Sequence, residues 1–203
     1  MAFLHSTLRK QLEKAVVSAR EAAEKGVKNA LNRLELQEDK PSAHLSDASR
    51  SLRNALRAEA RRLGQNGDGY KRLEGEAAYT HWHRMLFARF LAENDLLMHP
   101  TEGVSVTLED CKELAEAEGD PDAWATAARY AAGMLPGIFV ASDPTLRLIL
   151  APEDVQALEK LLEGIPAEVF TSDDGLGWVY QFWQVQAKKE VNASGRKIGG
   201  ADI

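Results

Sequence analysis

Residues 77–94 read AAYTHWHRMLFARFLAEN. Tyr79, Trp82, Met85, Leu86, Phe87, Phe90 and Leu91 recur at steps of one and three, which wraps most of a helix circumference in apolar surface rather than a single stripe. A helix that is apolar on most sides belongs in the middle of a fold. The segment from about 75 to 93 is therefore expected to be a central helix, with Trp82, Phe87 and Phe90 structural. Arg89 and Glu93 stand four apart, close enough for an ion pair.

Upstream, Leu4, Leu8, Leu12, Val16, Ala19, Ala23, Val27, Ala30 and Leu34 fall at steps of three and four, the stripe of one long helix over about 4–36. Ser6 or Thr7 is a candidate cap, and Gly26 a weak point costing about 1 kcal/mol relative to Ala. Some thirty residues of helix span about 45 Å, so this helix either projects or braces other parts. The polar stretch 37–43, with Pro41, reads as a loop. A second helix is expected over about 46–63, with Ser46 as N-cap and Gly64 at its end. Leu52, Leu56, Ala60 and Leu63 form its apolar face. The run 65–69, QNGDG, reads as a mobile turn.

Downstream, Thr107 with Asp110 makes an acidic variant of the capping box. Asp120-Pro121 and Asp143-Pro144 each set a cap before a proline at the first helical position, and Ala151-Pro152 repeats the proline without the cap. The helix after Pro152 should end at Gly164. A last helix is expected from about 174 to 190. Residues 104–106 and 138–140 are the candidate short strands. The fold class is mainly α: a multi-helix domain over 1–175 with little or no sheet, followed by a helix and linker over 176–203.

The 203 residues carry 25 basic and 31 acidic side chains, a net charge of −6. Residues 1–75 hold 15 basic and 10 acidic groups, whereas 76–203 hold 10 and 21. A contact with phosphate is therefore to be sought in the first third. One cysteine, Cys111, leaves no internal disulfide and suits a reducing cytoplasm. No stretch has the length of apolar sequence that a membrane span needs, so no membrane partner is expected.

Chemistry is sparse. His81 and His83 are two apart, so on a helix they point to different sides and do not share a metal. Asp173-Asp174 and Glu153-Asp154 stand at helix starts, where carboxylates stabilise the helix dipole. No Gly-rich phosphate loop or nucleophile elbow occurs. No catalytic, metal or cofactor residue is expected in this chain.

Two surface patterns remain. Arg50, Arg53, Arg57 and Arg61 repeat at three, four and four along one face of the second helix, with Arg62 beside them. Guanidinium forks suit phosphate oxygens, so these five are the candidate contacts to double-stranded DNA. The competing reading is a face whose arginine stems pack on neighbours and whose heads pair with the acidic half. The stretch 176–184, LGWVYQFWQ, offers aromatic rings for base stacking. At helical spacing, however, Leu176, Val179, Tyr180, Trp183 and Ala187 form a stripe suited to packing on protein, and Trp178 and Trp183 are expected to be structural.

The segment 79–94, YTHWHRMLFARFLAEN, resembles the N-terminal helix of adenine-specific DNA methyltransferases of BREX and DISARM phage-defence systems. The segments LGWVYQFWQ (176–184), KKEVN (188–192) and KIGGADI (197–203) resemble the same group. They are also similar, more loosely, to the helix ahead of the catalytic domain in type I restriction-modification methylation subunits. The resemblance implies a helical N-terminal domain that supports a Rossmann-like catalytic domain binding S-adenosylmethionine and flipping adenine. It carries no catalytic or cofactor residue onto this chain, which has no N-P-P-Y motif. On this basis the chain reads as the cytoplasmic helical part of such an enzyme, ending at Ile203 where the family continues into its C-terminal methyltransferase domain. The other expectation is a docking module for another defence-system subunit, without DNA contact.

Overall fold

The computed structural model describes residues 3–65 and 67–193, with side chains as far as 185. At its centre runs α3 (Asp68–Glu93), which buries Leu73, Ala77, Ala78, Trp82, Met85 and Leu86 on one side and Ala88 and Leu91 on another. Its apolar circumference lets it serve two cores at once. The helix begins seven residues before the expected start at 75. The turn read over 65–69 is shorter than expected, because Asp68 and Gly69 already lie in the helix. Gly69 makes this compact return possible: a Cβ there would stand 2.0 Å from the Ala60 carbonyl oxygen. Only a residue without a side chain allows the two backbones to approach so closely.

The long first helix, α1 (Ser6–Arg33), is 28 residues, shorter at both ends than the expected 4–36. Its N-cap is His5, and no side chain bonds there, so the hydroxyls of Ser6 and Thr7 do not cap it. The expected stripe is buried through Leu12, Val16, Ala19, Ala23, Val27 and Ala30. The helix does not project. It lies across α3, α6 (Pro152–Glu163) and α8 (Gly175–Ala193). Gly26 is the contact with α6, where a Cβ would come within 2.9 Å of the Asp154 Cβ. The residue that weakens the isolated helix thus sets its packing distance.

α2 (Asp47–Leu63) starts at Ser46, whose hydroxyl accepts the Ser49 amide at 3.1 Å, and buries Leu56 and Ala60 against α3. A second, smaller core joins the end of α3 to α4 (Asp110–Glu118) and α5 (Ala123–Met134) through Leu97, Val106, Cys111 and Ala127. Thr107 and Asp110 exchange the two expected capping bonds. Asp122, not Asp120, caps α5, while Asp120 binds Thr126 and Arg129 instead. Among the described residues there is no strand. Residues 104–106 yield one isolated bridge, Met98 with Ser105, and 138–140 form none.

Between α5 and α6 lies a 3-10 turn, η1 (Pro144–Arg147), where the Asp143-Pro144 signal predicts the start of a helix. α7 (Ala167–Thr171) then leads to α8. Asp174, just before α8, accepts the Leu4 amide at 2.9 Å and the Trp178 indole N–H at 2.8 Å, tying the first described residues to the last helix. Trp82 and Trp183 stack between α3 and α8, and Trp178 stacks on Phe182, so these tryptophans pack within the protein as expected. Among the described residues no helix is long and apolar enough to cross a membrane.

Candidate nucleic-acid interface

The arginine face of α2 is the place where the basic third of the chain and the helix geometry coincide. Its members do different things. Arg53 is only 2% exposed; its Nε donates to the Glu35 carbonyl at 3.0 Å and its terminal nitrogen to the Glu38 carbonyl. Arg57 donates to the Leu36 carbonyl at 2.9 Å and also to that of Glu38. Arg50 reaches the carbonyls of Leu45 at 2.9 Å and of Ser42 and Ala43 at 3.3 Å.

These carbonyls belong to the connection that leaves α1, where a helix end lacks intrahelical partners and carries partial negative charge. Three of the five arginines therefore hold the connection between α1 and α2. Their partners are main-chain oxygens rather than the acidic half. No side chain in 35–45 signals this, because every residue type offers the same carbonyl.

Two of the five remain at the surface. Arg61 is exposed with no partner among the described residues. Arg62 is exposed and forks onto Glu59, which holds that carboxyl below its ordinary range. An exposed pair of this kind contributes little, so little holds Arg62 away from another anion. Its charge also falls on Glu76 and Asp143.

Asp143 caps η1 by accepting the Thr145 amide and hydroxyl, each at 2.8 Å. It also lines a cleft of about 230 Å³ with Tyr79, Thr80, His83, Phe139 and Leu146. His83 stacks on Tyr79 with ring centroids 4.8 Å apart and sits edge-on to Phe87 at 4.6 Å. Burial lowers the His83 pKa and pushes the Tyr79 hydroxyl up to about 12, so the tyrosine stays neutral. Ile138 also lines the cleft and is about half exposed, as is Val140 two residues on.

No family model matches this chain. Neither a curated protein nor a solved structure matches it.

His81 and His83 do diverge. His81 is buried against the Thr145 backbone, while His83 joins the cleft. Among the described residues no group of three or more His, Cys, Asp or Glu side chains is placed to hold a metal. Cys111 is buried, and burial pushes its thiol up to about 11, which makes it a poor nucleophile.

A polar cluster outside the basic third was not anticipated. His99 takes the Glu102 amide on Nδ1 at 3.2 Å and faces Glu118 with Nε2 at 3.3 Å. Glu118 also accepts the Tyr130 hydroxyl at 2.8 Å and pairs with Arg129, which holds its carboxyl down. Both ring nitrogens of His99 are engaged, so the cluster clasps the 98–105 turn to α4 and α5 and offers no base. Glu118 lies 11 to 19 residues from these three partners, too far along the chain for a local pattern to flag the cluster.

Proposed function

We propose that this chain is the helical N-terminal domain of an adenine-specific, S-adenosylmethionine-dependent DNA methyltransferase of a phage-defence or restriction-modification system. Its task is to brace the catalytic domain and to touch the backbone of double-stranded DNA. The observation that carries the reading is the meeting of the two segments that resemble that family. Tyr79 and Trp82 of α3 both lie on Trp183 of α8, with ring centroids 5.4 and 6.3 Å apart. Two segments a hundred positions apart that resemble one family form one packed unit here, as a shared domain requires.

Backbone contact falls to Arg61 and Arg62, the members of the arginine face that remain at the surface. Such contacts give position and salt-sensitive affinity, and they read no sequence. The described residues hold no strand–glycine turn–helix unit of the kind that seats a dinucleotide-like cofactor. On this reading the cofactor and the methyl transfer belong to the catalytic domain.

The deciding experiment deletes the gene in its source cell and maps N6-methyladenine across the genome. Loss of methylation at one sequence motif supports the reading, and an unchanged map rejects it. A second reading, docking of another defence-system subunit, draws on Ile138 standing half exposed at the cleft and Val140 half exposed two residues on. It predicts a co-purifying partner and no binding of duplex at low salt.

A further inference from the structure

The cleft of about 230 Å³ takes its lining from two stretches of chain, α3 through Tyr79, Thr80 and His83, and the segment 138–146. Three of its lining rings cluster. The His83 imidazole lies on Tyr79 with planes 22° apart, and the Phe139 ring stands 5.6 Å from it at 50°. The face of an aromatic ring carries partial negative charge and attracts a cation. Burial lowers the His83 pKa, so at neutral pH the imidazole is an uncharged ring that repels no cation.

Asp143 adds a full negative charge to this lining. Its Oδ1 accepts both the amide and the hydroxyl of Thr145, and its Oδ2 has no hydrogen-bond partner among the described residues. No lysine or arginine lines the cleft among the described residues. Arg62 is within electrostatic reach of Asp143 but forks onto Glu59 instead. The cleft also belongs to the part of the chain, 76–203, that holds 21 acidic groups against 10 basic ones, which draws cations towards it.

Size and rim narrow the choice of cation. Pockets for cofactors and drug-sized ligands run from about 300 Å³ upward, so this cleft has room for one side chain rather than a cofactor. Ile138 lines it and is 50% exposed, Val140 two residues on is 49% exposed, and no charged side chain occurs from 131 to 142. An uncharged rim beside a single acid suits a cation carried among apolar residues of a peptide. A guanidinium is planar, stacks on rings and sheds water more readily than an ammonium. A nucleobase also stacks on such rings, but its phosphates would meet the Asp143 charge.

We propose that the cleft receives an arginine side chain from a peptide segment of a partner protein, its guanidinium against the Tyr79, His83 and Phe139 rings and paired with the Asp143 carboxylate, and its apolar neighbours on Ile138. This site is separate from Arg61 and Arg62, to which the DNA contact falls, so it does not depend on that reading. It gives a docking surface a place and a chemistry.

The test follows amide resonances of residues 79–83 and 138–146 in the isotope-labelled full chain by two-dimensional NMR. The probes are acetyl-Leu-Arg-Leu-amide, the same peptide with citrulline for arginine, methylguanidinium and adenosine monophosphate. Citrulline keeps the planar shape and removes the charge. The arginine peptide is expected to shift these resonances saturably at millimolar concentration. The citrulline peptide on the parent, and the arginine peptide on Asp143→Asn, should each bind about tenfold more weakly. Asn keeps a side-chain oxygen for the Thr145 bonds, and a thermal midpoint near that of the parent checks the fold. Ile138→Lys, at a half-exposed position, places a cation at the rim without touching Asp143 and should weaken the arginine peptide as well. Equal binding of the citrulline peptide overturns the proposal, and so does undiminished binding by either variant. No shift with the arginine peptide overturns it too. Methylguanidinium binding as tightly as the peptide removes the role of the rim and with it the peptide partner. Shifts with adenosine monophosphate alone make the cleft a nucleobase site and likewise overturn the proposal.

Discussion

The indole of Trp82 lies nearly parallel to that of Trp183, with ring centroids 6.3 Å apart and planes 12° from coplanar. Trp82 is fully buried and Trp183 is 5% exposed, so the pair closes the seam between the central helix and α8. Arg20 of α1 completes the seam by donating to the Trp183 carbonyl at 3.1 Å. Three helices distant in sequence are thus fastened at one point.

Truncating either indole should accordingly be costly. Trp82→Ala and Trp183→Ala are each expected to lose about 3–5 kcal/mol in urea unfolding. A double-mutant cycle should return a coupling of about 0.5–1.5 kcal/mol, as for stacked aromatic pairs. Tyr180→Ala, at a ring 52% exposed on the same helix, should stay within about 0.5 kcal/mol. Equal losses at Tyr180 and Trp183 would contradict the packing described.

The glycines divide by what a methyl group would meet. At Gly175 an added Cβ would stand 1.8 Å from the Val169 carbonyl oxygen, and at Gly69 2.0 Å from that of Ala60. Gly175→Ala and Gly69→Ala should therefore unfold at markedly lower temperature. Gly75, inside α3, has nothing within 4 Å of that position. Gly75→Ala should stabilise by up to about 1 kcal/mol, because alanine is the better helix former. Circular dichroism melts of the three variants separate the two classes.

That contrast shows what the sequence discloses and what it withholds. The helices follow from periodicity, because burying a stripe is a local instruction repeated every three or four residues. Gly26, Gly69 and Gly75 look alike in sequence, since their difference lies in which backbone comes near. The arginine face of α2 was legible as a pattern. Its use was not, since Arg53 and Arg57 answer carbonyls that any residue would present.

The arginine face predicts a split between stability and binding. Arg53→Met strips the donors from the Glu35 and Glu38 carbonyls and is expected to cost about 3 kcal/mol. Arg61→Ala touches nothing in the fold and should change stability by no more than about 0.5 kcal/mol. If the proposed DNA contact holds, it should also lower the salt slope of duplex binding by about one unit. Denaturation and anisotropy titration on the same two proteins check both halves. A weaker salt slope in Arg53→Met with full stability would reverse the assignment.

Acid should weaken the fold through His81. Burial first, and the neighbouring Arg84 charge second, push its pKa from 6.5 to about 4, against a smaller opposing effect of the Thr145 backbone bond. Above pH 6.5 the imidazole is neutral both folded and unfolded, so it adds no pH dependence. Between pH 6.5 and 4 the unfolded chain takes up a proton that the folded chain refuses, and stability falls as pH falls. Below about pH 4 both states are protonated and the loss levels off, at a total on the order of 3 kcal/mol. Carboxylates contribute their own acid dependence, so the measurement is a difference: urea midpoints of the parent and of His81→Gln from pH 7 to pH 4. The variant should show the shallower decline over that window, and parallel curves would mean that His81 takes up its proton without leaving the fold.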